Sequence, residues 1–454
     1  MISFPHIPVD STWTTCGVFA SLFSCGKPPD IVPKGVWTEI SVIPVLLGDF
    51  HINFPYDVCY LNKDIFCSLL ENGVSFQSER KERFDMLRFS CEKALLQGAV
   101  NTASRAVAAK SSIPALEGIL LEGGDTLTLS GYNMQTGIRT GVDAQIQSPG
   151  RIVLSARLFG EMIRKMPDDV IVFDADDKLT VHLTCGDASF EIIGLSADDY
   201  PELPEVDDQF SVDIRQGTLK AMINQTSFAV STNESRPVHT GSLFEVGDKD
   251  LTVVSVDGFR LALRREPLDR SEGGAFKFVA PGSALNEVEK ICEDSDEKIT
   301  IIQGKRHLLF EAGATQLICR RLEGDFLDYK NAIPRNNPIR LTVDTKTMLG
   351  SLDRVSVVIS EKLKSPVRCV FENGRVMLSA RTGAGEAKDI CPLDGDGNGL
   401  EIGFNNRYLM DALRYAPADA VTMELNTSIS PAVLVPVDGE ESFLYMVLPV
   451  RLKA

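Results

Sequence analysis

Apolar positions along most of the chain follow two alternating rhythms. Leu96, Val100, Ala103 and Val107 recur at i, i+4, i+7 and i+11, the stripe of an amphipathic helix, and predict a helix over residues 91–108. A period of two follows at 118–122 (GILLE) and 127–131 (LTLSG), two strands of a hairpin. The same hairpin returns at 241–245 (GSLFE) and 251–255 (LTVVS), and again at 367–371 (VRCVF) and 376–380 (VMLSA). Leu127, Leu251 and Val376 stand 124 and 125 residues apart, and first helices predicted at 215–230 and 345–358 keep that interval. Each unit has a second helix, at 157–166, 283–292 and 406–415, with Pro167 and Pro417 as stop signals.

Two helices and many strands per unit predict an α+β class, with the helices on one side of antiparallel sheets. The domains fall at 86–205, 206–333 and 334–454, with linkers at 201–208 and 334–338. Glu372, Asn373 and Gly374 are expected to close a hairpin. Residues 1–85 show neither period. They hold both tryptophans, four of the ten cysteines and seven of the 23 prolines. They read as an atypical, poorly ordered extension upstream of a later start, with a genuine extra domain as the competing reading.

Charge narrows the function classes. The net charge is −17, and residues 86–454 alone carry −13. That excludes a simple cationic nucleic-acid binder, and a hydrophobic fraction of 44% excludes general disorder. The ten cysteines are scattered without C-x-x-C or zinc spacing and read as reduced thiols of a cytoplasmic protein. The longest apolar runs, at 17–23 and 43–48, are too short to span a bilayer.

The chemistry-bearing motifs are few. Residues 394–399 (DGDGNG) open like a calcium loop, but the twelfth position is Asn405 where a bidentate Glu is required. A Gly-rich turn between strands at 388–392 and 400–404 is the expected reading. The five histidines are dispersed, and Gly383 and Gly385 are half a dinucleotide fingerprint without the rest. No catalytic residue, metal site or cofactor is indicated. Two segments stand out. Residues 256–261 (VDGFRL) set apolar bulk beside a cation at an Asp-Gly turn, and 445–452 (YMVLPVRL) end in an apolar tail suited to lining a groove.

With these motifs in register, residues 86–452 resemble the bacterial sliding clamp, the β subunit of DNA polymerase III. The similar stretches are 86–90 (MLRFS), 112–116 (SIPAL), 256–261, 401–405 (EIGFN) with Tyr408, and 448–452 (LPVRL). The resemblance implies a processivity factor, half of a head-to-tail ring dimer with helices lining the hole and sheets outside. Topological linkage to double-stranded DNA, independent of sequence, needs no net attraction, which reconciles the acidic charge with the function. Cations on the helices become candidates to face DNA: Lys93, Arg105, Arg157, Arg164, Lys165, Lys220, Lys346, Arg354 and Arg407, with Lys110 in a turn matching a DNA-contacting position. The resemblance also implies a groove between the second and third domains for short linear motifs of the replicative polymerase, the clamp loader and repair proteins. Its matching residues are Val256, Gly258, Phe259, Arg260, Leu261, Leu363, Asn405, Tyr408, Ile429, Met446, Leu448, Pro449, Val450, Arg451 and Leu452. In the ring, Phe190 and Ile192 of one copy are expected to meet Val358 and Ile359 of the next. His239, Leu327, Asn331 and Pro431 depart from the family pattern. The alternative, an enzyme acting on nucleotides on a duplicated scaffold, lacks a triad, a metal cluster or a phosphate loop.

Overall fold

The computed structural model describes residues 86–207, 209–268, 271–272, 274–359 and 365–452, and before them three short strands, Ser24–Cys25, Trp37–Glu39 and Cys59–Asn62, which pair antiparallel. The chain divides into two units, Met1–Arg83 and Phe84–Ala454. The expectations for 1–85 otherwise lie outside the described residues.

Each predicted helix is present, its bounds shifted by one to four residues at one end or both. The first helices are Lys93–Ser104, Gln216–Ser227 and Thr345–Ser356. The second are Ala156–Lys165, Gly282–Ile291 and Asn406–Arg414. Cys91 belongs to the strand Arg88–Glu92, where it pairs with Ile171. The apolar stripe overshoots at the other end, because Val107 stays part-buried in a turn after the helix closes at Ser104. In the third unit, Asp344 caps the first helix by accepting from Thr347 N at 2.7 Å.

The helices pack on the sheets over three separate cores. The first centres on Phe89 stacked on Phe173 at 4.5 Å, with Phe159 from the second helix edge-on at 6.5 Å. The second has Phe244 stacked on Phe278 at 5.0 Å, and the third buries Phe371, Phe404 and Leu409. Each such buried ring contributes roughly 1.5–3 kcal/mol of transfer free energy.

The sheets join the domains. A five-stranded sheet belongs to the first domain and ends on the strand Ala188–Ile193. A nine-stranded sheet crosses from the first domain to the second, with Thr315–Arg320 antiparallel to Thr136–Val142 and Leu317 opposite Ile138. A ten-stranded sheet crosses from the second to the third, with Arg260–Pro267 antiparallel to Phe443–Val447 and Ala262 opposite Tyr445.

One turn prediction fails. Glu372, Asn373 and Gly374 do not close a hairpin; they lie inside the long strand Val367–Thr382, where the register with Gly385–Phe404 slips on both sides of Asn373. Gly374 has φ +72°, so the local signal for a turn is real, but the chain uses it as a bulge. The Gly-rich 394–399 segment likewise lies within the strand Gly385–Phe404, with Gly395, Asn398 and Gly399 at positive φ.

Candidate functional site

The junction between the second and third domains is organised by one aspartate. Asp257 Oδ1 accepts from Phe259 N at 2.9 Å and Arg260 N at 3.0 Å, and Gly258 holds φ +87°. This turn aims two side chains in different directions. Phe259 stays 60% exposed, its ring 6.2 Å from that of Tyr408. Arg260 turns inward, with only 8% of its side chain exposed. Its Nε donates to Asp257 Oδ2 at 2.9 Å and its NH1 to Asp411 Oδ2 at 2.6 Å. Its guanidinium lies over the rings of Tyr408, at 4.4 Å, and Phe228, at 5.4 Å. Phe228 stacks in turn on Tyr415 at 5.0 Å.

Tyr408 is presented by the helix Asn406–Arg414, which Asn405 caps by accepting from Arg407 N at 3.1 Å. The tail runs past the turn: Leu448 N donates to Phe259 O at 2.9 Å and Val450 N to Gly403 O at 2.7 Å. A Cβ on Gly403 would sit 2.6 Å from Val450 O, so only glycine admits the tail there.

The structure therefore brings Gly258, Phe259, Arg260, Asn405, Tyr408, Leu448, Pro449 and Val450 together. Val256, Leu261 and Met446 are buried beneath this surface. Ile429 stands exposed on a turn, Arg451 is exposed and Leu452 half-buried. Leu363 lies outside the described residues. Leu327 lines a separate cavity of about 640 Å³, with Leu243, Phe326 and Tyr329. His239 is buried edge-on to Phe326 at 5.5 Å; burial and the nearby Arg236 push its pKa down. Asp257, Asp411, Phe228 and Gly403 were missed by the sequence reading. Asp257 carried a local signal as the first residue of an Asp-Gly turn, and Gly403 lay within the 401–405 stretch, while Asp411 and Phe228 carried none.

The helix cations are largely neutralised. Lys93 Nζ meets Asp168 at 2.6 Å, Lys220 meets Asp294 at 2.9 Å and Lys346 meets Asp419 at 2.9 Å, one pair in each domain. Each ties the first helix to the turn after the second. Arg354 pairs with Asp389 and Arg164 with Glu161, while Arg407 approaches Asp411 at 3.9 Å. Arg105 bridges the first two domains to Glu287 at 3.5 Å. Lys110, Arg157 and Lys165 make no ion pair with a described residue.

Three family models cover this unit in order: the DNA polymerase III beta subunit N-terminal domain at 87–204, the central domain at 213–328 and the C-terminal domain at 330–451. The chain belongs to the DNA polymerase III β subunit family. It is a sliding clamp, a processivity factor of DNA replication. The beta sliding clamp of Staphylococcus epidermidis is 31% identical over 378 residues, 81% of this chain and all of that protein. That of Bacillus subtilis is 29% identical over 377 residues, 80% of this chain and all of that protein. The crystal structure of the Bacillus subtilis DNA polymerase sliding clamp superimposes with a TM-score of 0.77 over 81% of this chain, at 29% identity. A putative DNA polymerase III beta subunit from Eubacterium rectale matches equally well, with a TM-score of 0.77 at 30% identity. Three similar β-subunit domains in one chain leave the enzyme alternative without support. Among the described residues, no helix is long and apolar enough to cross a membrane.

Proposed function

We propose that two copies of this chain close head to tail into a ring around duplex DNA in the cytoplasm. The ring tethers the polymerase, clamp loader and repair proteins through motif peptides seated on Phe259, Tyr408 and the 448–452 tail. In this reading it has no catalytic site of its own. Of the cations, Lys110, Arg157 and Lys165 are the ones available to phosphates.

The repeated junction supports the ring. Arg320 N donates to Gln135 O at 3.2 Å at the first junction, and Leu448 N to Phe259 O at 2.9 Å at the second. By the repeat, Ile193 matches Arg320 and Leu448, and Ala384 matches Gln135 and Phe259. Their strands, Ala188–Ile193 and the 385–391 part of Gly385–Phe404, each lack a partner on one side among the described residues. A second copy extends the pattern, with Phe190 opposite Ala387 and Ile193 N donating to Ala384 O. Apolar side chains stand unpartnered at these edges: Ile193 is 76% exposed and Val357 83%. Val357 follows its helix as Phe228 and Arg105 follow theirs, and both of those reach across a junction. Ile192 is buried in its own core, Phe190, Val358 and Ile359 are partly buried against theirs, and in this register Ile193 and Val357 add exposed apolar surface to the contact.

Sedimentation at micromolar concentration tests the dimer. Retention on circular DNA, with release when the circle is cut, tests the topology. A monomer, or retention indifferent to linearisation, overturns the proposal.

A further inference from the structure

At one register position the two junctions within the chain are apolar on both strands and the open edges are charged. On the face away from the helices, Ile318 stands opposite Gly137 at the first junction and Met446 opposite Leu261 at the second. Ile318, Leu261 and Met446 are buried, so both continuous junctions are sealed there by apolar contact. The equivalent residues at the open edges are Glu191 and Glu386, both exposed.

We infer that Glu191 of one copy and Glu386 of the next form a like-charge pair across the ring seam, which weakens that junction relative to the two apolar ones. The inference rests on the ring reading. Directly opposite side chains on antiparallel strands sit with Cβ atoms about 5 Å apart, and like charges there destabilise the pairing.

Each carboxylate has a partial counterweight within its own copy. His182 Nδ1 lies 3.6 Å from Glu191 Oε2, and Lys388 Nζ 2.9 Å from Glu386 Oε1. His182 also stands opposite Asp174, which Arg88 holds at 2.6 Å. In the seam register Lys388 falls opposite Ser189, diagonal to Glu191, so the cation is present without facing the carboxylate directly. Both glutamates are in solvent, so the repulsion is modest and sensitive to salt.

Dimer dissociation constants of the full chain, with Glu191→Gln and Glu386→Gln, at about 50 and about 500 mM salt test this. The expected result is dimerisation about three- to tenfold tighter in either variant at low salt. Raising the salt tightens the unaltered dimer and leaves the variants nearly constant. Glu191→Lys, which sets opposite charges across the seam, is tightest of all. Unchanged variants on an intact dimer overturn this inference alone. Weaker variants overturn it too, since they mean that the glutamates attract Lys388 and His182 across the seam. A chain that stays monomeric throughout overturns the ring reading together with it.

Discussion

Arg260 donates from NH1 to Asp411 Oδ2 at 2.6 Å across the junction of the second and third domains, with both side chains nearly out of solvent. The guanidinium lies over the Tyr408 ring, and the Phe259 ring stacks on that ring at 6.2 Å, so the inter-domain lock and the proposed docking surface are one construction. Among the described residues, Arg260→Ala leaves Asp411 with only Arg407 and Arg414 as cationic partners. Breaking a buried pair costs about 3–5 kcal/mol. Thermal unfolding falls by several degrees and motif-peptide binding is lost with it.

Phe259→Ala separates the two roles. The ring is mostly exposed, so stability changes by no more than about 0.5 kcal/mol. Peptide affinity falls by about 2 kcal/mol, roughly thirtyfold, if the ring is an anchor. Fluorescence anisotropy with a polymerase-derived peptide, beside a melting curve, checks both halves.

The tail is tested from its contact point. Gly403→Ala drives a methyl into Val450 O and displaces residues 450–452. Peptide binding weakens as much as on deleting those residues. Dimerisation, measured by sedimentation, is preserved because the proposed seam lies at the far end, 385–391, of the strand that carries Gly403. Loss of the dimer assigns the tail to the ring contact.

His239 makes stability fall in acid. Burial first, and Arg236 second, hold its folded pKa below the unfolded value of about 6.5. The unfolded chain therefore takes up the proton first. Stability is fully present above pH about 6.5 and declines as pH drops toward the depressed folded value. His307, lowered by burial with Arg320 and Arg306, acts in the same direction. His239→Leu reduces the loss of melting temperature between about pH 8 and about pH 5; an unchanged slope assigns it to other groups.

DNA binding separates the paired cations from the unpaired ones. Arg157→Ala and Lys165→Ala weaken direct binding to short linear duplex DNA and each lowers the salt slope by up to about 0.9. Lys220→Ala, which only releases Asp294, leaves it unchanged. Equal effects in all three place Lys220 on the phosphates.

The sequence by itself determined the number of domains, the helices and two of the three repeated hairpins. Periods of 2 and 3.6 are set by which local faces must leave water, and the repeat prints them three times. It also determined that the Asp257 turn and the tail belong together, through the resemblance they carry. Tertiary structure decided which way Arg260 points: a cation in a turn reads as solvated, and only Asp411, 151 residues away, makes burying it affordable. It decided that Lys93, Lys220 and Lys346 are tied to carboxylates across a helix pair, contacts that spacing along the chain does not encode. It turned Glu372–Gly374 from a hairpin into a bulge, because a Gly-containing turn signal specifies local curvature and not the strand that pairs next. And it fixed the register of the sheets that cross between domains, which sets Ile318 opposite Gly137 and Met446 opposite Leu261. Strand register is a relation between distant segments, decided by which faces bury together, and a single chain read in order does not contain it.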